Sequence, residues 1–218
     1  MVSRIYEFTT NLSVLSTTIP LILIILIRNN TFNIQLKVLF FYLTSSFLID
    51  VLSFLHFFSD NNSFLINSFT LIEFLSILII FESQWMSKKM SQFLYALGLL
   101  FVIYFILVIL YIPDLNLRYV WINVFKGIII ITLSVLYFFT LLNDLSISKL
   151  TLYYLFWLNT AFVIYFSVVL FIFLFMNYIL DPNASQPVKN LWLLHNLFHI
   201  LYNILLAIGI FQWKKALK

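Results

Sequence analysis

Seven apolar runs, each about the length of a membrane-crossing helix, follow one another along this chain with only short polar loops between them. A helix needs about 20 such residues to cross the roughly 30 Å of bilayer hydrocarbon. The runs lie at 10–28, 37–58, 64–83, 92–112, 120–142, 151–180 and 189–212. They predict an all-α, polytopic membrane protein, a seven-helix transmembrane bundle forming one domain over residues 1–218. Composition agrees, because only 9% of the 218 residues are charged, against about a quarter in soluble domains. No polar stretch is long enough for a separate soluble domain.

The remaining bulk properties mainly exclude. The net charge of +4 comes from basic residues scattered at helix ends, without the clustered face that nucleic acid binding needs. Cysteine is absent, which removes disulfides and thiolate metal sites. Three glycines, Gly98, Gly127 and Gly209, leave little for close small-residue helix packing, so Phe, Leu and Ile are expected to fill the interhelical space.

Loop charges set the expected orientation, since Lys and Arg accumulate on the cytoplasmic side. Arg28 and Lys37, Lys88 and Lys89, Lys149, and Lys214, Lys215 and Lys218 flank alternate ends of the runs. The N-terminus is therefore expected outside and the C-terminus inside. The first run opens with polar Asn11, Ser13, Ser16, Thr17 and Thr18, lacks a small-residue cleavage site and is followed by Arg28, the pattern of a retained helix. Pro20 should kink it. The sixth run is long enough to tilt or to project past the membrane. Trp85, Trp121, Trp192 and Trp213 fall near run ends, as interfacial aromatics do, while Trp157 is placed deeper.

Polar side chains inside hydrocarbon cost free energy unless they face protein, water or an ion, so they mark candidate sites. On the second helix Ser46, Asp50, Ser53 and His56 trace a slanted stripe at the spacing of one helical face. The third contributes Glu73. Lys126 on the fifth is read as reaching outward to the interface. The sixth carries Asn159, Thr160, Tyr165 and Ser167, and the seventh His195, Asn196, His199 and Asn203. In the expected orientation all three histidines lie in the outer half, with His195 about 9 Å and His199 about 15 Å below the start of their helix.

Histidines four residues apart share a helical face, and a third from a neighbouring helix would complete three ligands of a zinc site with one position open to water. His56 with His195-Asn-Leu-Phe-His199 resembles the ceramidase and adiponectin-receptor superfamily of seven-helix zinc amide hydrolases. That resemblance implies zinc held by His56, His195 and His199, and hydrolysis of a lipid amide or ester. The family's serine precedes its second-helix histidine by four residues, whereas here Ser53 precedes His56 by three. A broader resemblance extends over nearly the whole chain. Leu155-Phe-Trp-Leu158, Tyr165-Phe-Ser167 and the segment from Leu194 to Asn203 are similar to short seven-helix inner-membrane proteins of Gram-negative bacteria, often encoded beside sensor histidine kinases. This implies a bacterial inner-membrane location, a signalling role and such a kinase as partner, alongside membrane lipids.

Two functions are therefore expected in competition. The first is a membrane sensor or signalling accessory, without a cofactor, that binds a small ligand, lipid or ion in an outer-half polar cavity between the second, third and seventh helices. Asp50, Ser53, Glu73, Asn196 and Asn203 would line it. The second is the zinc hydrolase built on the three histidines. A plainer account of His195 and His199 stands beside both, in which they hydrogen-bond neighbouring helices. Asp50 and Glu73 would then be neutral side chains bonded across the bundle. The absence of evident repeats argues against a transporter, and no lysine stands mid-way along the seventh helix for retinal to attach.

Overall fold

A computed structural model of the chain describes residues 2–27, 33–54, 63–85, 87–143, 149–175 and 186–216. Every element among them is helical: α1 (Val2–Ser16), α2 (Thr18–Ile27), α3 (Ile34–Phe54), α4 (Ser63–Glu82), α5 (Lys88–Tyr111), α6 (Leu115–Asn143), a 3-10 turn (Leu150–Leu152), α7 (Tyr154–Leu174) and α8 (Gln186–Ala216). Arg28, His56 and Lys218 lie outside the described residues.

Six spans among these are long and apolar enough to cross a membrane: Ile5–Ile27, Ile34–Leu52, Lys88–Tyr111, Leu117–Asn143, Tyr154–Leu174 and Leu191–Lys215. The distribution of side chains is that of a protein solvated by lipid. Leu110 is 70% and Leu26 67% exposed, whereas Thr17, Ser134, Asn159 and Asn203 are fully buried. Apolar surface on this scale would drive aggregation in water, and in a bilayer it is the natural exterior. The chain is an integral membrane protein.

The helices start and stop where backbone chemistry requires. The first helix begins at Val2, earlier than its apolar content suggests, because its polar residues are accommodated inside the helix. The hydroxyls of Thr9 and Thr10 both donate to the carbonyl of Tyr6, at 2.9 Å. The span breaks at Thr17, between α1 and α2. Pro20 explains the position, since it has no N–H for the Ser16 carbonyl and its ring crowds that group. Asn33 caps α3 through Leu36 N–H at 3.1 Å, and Asp114, just after Pro113, caps α6 through Leu117 N–H at 3.0 Å. Trp157 sits in the first turn of α7, where its indole donates to the Thr151 carbonyl at 2.8 Å, instead of lying deep in the membrane.

Packing groups the described helices into two compact units, and the division falls within α6. One unit contains α1, α2, residues 127–143 of α6, α7 and α8; the other contains α3, α4, α5 and residues 115–126 of α6. In the first, α7 and α8 run antiparallel, with Tyr154 against Trp213 at 3.9 Å between ring centroids and Tyr165 against Tyr202 at 4.6 Å. Gly209 permits their closest approach: a Cβ there would lie 3.2 Å from the Tyr154 carbonyl oxygen and 3.3 Å from Trp157 Cβ. In the second unit, Phe74 stacks on Phe101 at 3.8 Å and Tyr104 meets Phe125 at 4.5 Å. Stacked aromatic rings and buried Leu and Ile side chains together fill the interhelical space, as the scarcity of glycine predicts.

Gly209→Leu should overpack the α7–α8 contact and cost about 1–3 kcal/mol, seen as a lowered unfolding temperature in detergent. Gly98→Ala, where the new Cβ meets Leu78 Cδ1 at an ordinary 3.4 Å, should lose no stability in the same assay.

Candidate functional site

The polar residues of α8 are spent on its neighbours in the first unit. Asn196 Nδ2 donates to the Thr10 hydroxyl at 3.0 Å, the Ser13 hydroxyl and His199 Nδ1 share a hydrogen bond at 2.7 Å, and Asn203 Nδ2 donates to the Ser16 hydroxyl at 2.8 Å. Residue numbers rise together on both helices, so α1 and α8 run parallel, joined by three successive rungs. Positions 10, 13 and 16 on one side and 196, 199 and 203 on the other each repeat at one helical turn, which keeps every rung on a single face. Interhelical hydrogen bonds of this kind contribute on average about 0.6 kcal/mol each in a membrane. Their larger effect is to fix register, because a slip would strand several polar groups in hydrocarbon.

On its other side α8 meets α7. The Tyr165 hydroxyl lies 3.3 Å from His195 Nε2, and its ring packs 5.9 Å from His195, 5.7 Å from His199 and 4.6 Å from Tyr202. Trp192 closes on His195 at 5.6 Å. The two imidazoles are nearly parallel, 14° between planes and 6.3 Å between centroids. His195 and His199 are thus embedded in an aromatic cluster, and each is tied to a different neighbouring helix. Asn203 Oδ1 is buried without a hydrogen-bond partner among the described residues, as is Asn159 Oδ1 on α7.

The second unit has its own polar centre. Glu73 on α4 forms a buried ion pair with Lys126 on α6 through Oε2, and Tyr42 on α3 donates its hydroxyl to Oε1 at 3.2 Å. Lys126 is 3% exposed and Glu73 4%. The interfacial placement expected for Lys126 is corrected by this pair. α6 begins at Leu115, five residues before its apolar run, which places Lys126 about 16 Å along the helix, beyond easy reach of its end. Glu73 is accordingly partnered by a cation and a phenol. Asp50 Oδ2 is buried with no hydrogen-bond partner among the described residues. Ser53 is described only through its backbone in α3.

Seven of the eight residues singled out by sequence are described, and they divide between the two units. Asp50, Ser53 and Glu73 belong to one; His195, Asn196, His199 and Asn203 belong to the other, and His56 lies outside the described residues. Among the described residues no group of three or more His, Cys, Asp or Glu gathers as a metal site. Thr10, Ser13 and Ser16 were the partners overlooked. Their spacing of three and three against three and four at 196, 199 and 203 was a visible signal, a row of hydroxyls opposite two amides and an imidazole that all recur at about one helical turn. Comparison with protein-family models, curated proteins and solved structures finds no match to this chain.

The Glu73–Lys126 pair gives a sharp test. Lys126→Met or Glu73→Leu alone leaves a buried uncompensated charge and should destabilise the protein by about 3–5 kcal/mol. The double variant should recover most of the loss, and thermal unfolding of the four proteins measures the coupling directly.

Proposed function

We propose that this chain is a membrane sensor or signalling accessory whose responsive element is the cluster of His195, His199 and Tyr165, which binds a small polar ligand, a lipid or an ion. One observation carries this reading: the two imidazoles connect α8 to both of its neighbours, His199 to Ser13 of α1 and His195 to Tyr165 of α7. A neutral imidazole offers one donor and one acceptor, an imidazolium two donors. A proton, ion or ligand arriving at one ring nitrogen therefore changes the hydrogen bond made by the other. The consequence is felt in the packing of α1 against α8, which is the kind of two-state element that signalling requires.

The full bundle in this proposal has seven crossings, with the N-terminus outside and the C-terminus inside. The parallel run of α1 and α8 supports it, since an odd number of crossings makes the first and last spans parallel. Lys214 and Lys215 in the last turn of α8 accord with a cytoplasmic end. His195 then lies in the outer half of the membrane. The resemblance to seven-helix bacterial proteins supports an inner-membrane location and a sensor histidine kinase as the partner that reads α1.

The test is a thermal-shift screen of the full chain in lipid nanodiscs against small polar metabolites, divalent ions and lipids. A true ligand at about a hundred times its Kd adds about 2.7 kcal/mol, a shift of roughly 5–10 °C for a chain of this size. The shift should vanish in His199→Phe and Tyr165→Phe. A panel without any stabilising compound, or a shift unchanged in both variants, would count against the proposal.

A further inference from the structure

The second unit carries a feature that its polar centre does not use. An apolar groove of about 350 Å³ runs between α4 and α5, walled by Leu75 and Leu78 on one helix and by Leu94, Leu99 and Val102 on the other. Gly98 forms part of its floor. The missing side chain leaves room there, since a Cβ would stand 3.4 Å from Leu78 Cδ1 and 3.8 Å from Leu75 Cδ2. Ile79, Tyr95 and Leu99 on its rim are exposed, so the groove opens to the surroundings of the helices, which in a membrane are acyl chains.

At the α4–α5 turn the chemistry changes from apolar to basic and donor-rich. α5 begins at Lys88, and its N-cap residue, Ser87, makes no side-chain cap. The first-turn N–H groups are therefore available to an anion. Lys88 and Lys89 are both exposed. At about 100° per residue, Lys88 and Ser91 fall on the same side of α5 as Gly98 and Val102, and Lys89 falls on the far side. Glu82, the one charged residue that lines the groove itself, accepts a hydrogen bond from the Ser91 hydroxyl at 2.8 Å, which engages its carboxylate on the protein side.

Dimensions decide between a chance cleft and a lipid site. Lys88 and Val102 are fourteen residues apart on one helix, about 21 Å at 1.5 Å per residue. One bilayer leaflet with its headgroup region measures roughly 20–22 Å. A phosphate beside Lys88 and the α5 N-terminus would thus send an acyl chain along the groove to the bilayer centre.

We propose that this groove is a specific site for one anionic phospholipid, with its phosphate held by Lys88 and the first turn of α5, and one acyl chain lying over Gly98. Gly98 is the residue that shapes the site and Lys88 the one that selects charge.

Native mass spectrometry of the full chain tests it, with phosphatidylglycerol and phosphatidylcholine of identical acyl chains supplied in equal amounts. Wild type should retain one phosphatidylglycerol per chain in preference to phosphatidylcholine. Lys88→Gln should reduce that preference about fivefold, the factor that one basic side chain contributes near an anionic headgroup, while chain binding persists. Gly98→Leu and, independently, Val102→Phe should fill the groove and lose both lipids. Equal retention of the two lipids by wild type would overturn the site. Wild-type lipid counts in both groove-filling variants would do so equally.

Discussion

Hydrocarbon offers no hydrogen bonds, and the arrangement of α1, α7 and α8 follows from that constraint. Asn196, His199 and Asn203 stand on an apolar helix where each would be costly alone. Thr10, Ser13 and Ser16 answer them one for one across α1, and Tyr165 answers His195 across α7. The break at Thr17, set by Pro20, ends α1 just beyond the last of these rungs. Hydrophobic burial has little to contribute between helices already surrounded by lipid, so polar complementarity sets the pairing and aromatic packing fills the space around it.

The second unit solves the same problem with charge. A lysine and a glutamate, each ruinous alone at this depth, are tolerable together, and the Tyr42 hydroxyl completes the carboxylate's coordination. Buried ion pairs of this kind stabilise little compared with apolar replacements. What this pair fixes is which residues of α4 and α6 face one another, while Phe74, Phe101 and Phe125 stack across α4, α5 and α6 in the same unit. The lipid groove between α4 and α5 lies in the same unit, where a helix otherwise covered with exposed leucines and isoleucines places a glycine against its neighbour.

Much of this was legible in the chain itself. Apolar length alone locates the middle of each described helix, because bilayer thickness sets one scale for all of them, while the ends depart by as much as the stretch from residue 10 back to Val2 in the first. The polar positions that matter were visible too: Glu73, His195, Asn196, His199 and Asn203 all prove to be engaged or buried. What periodicity cannot supply is the partner. It gives the face and depth of a residue, while neighbours depend on how helices are arranged around one another. Thus Ser13 and Ser16 read as a polar entry to the first span, although they are the hydrogen-bond partners of His199 and Asn203 on α8. Lys126 was misjudged for a different reason. Its helix begins at Leu115 among mixed residues, so hydropathy placed the helix end too close to it.

Because the chain has no cysteine, paired cysteine substitutions can test the α1–α8 ladder without background. The most direct measurement is the cross-linking of Ser16→Cys with Asn203→Cys in native membranes by a short bifunctional thiol reagent, against Ser16→Cys with Asn196→Cys. The second pair is displaced by seven residues, about 10 Å along α8. The ladder predicts rapid linkage of the first pair and little of the second. Equal or faster linkage of the displaced pair would contradict the register on which this account rests.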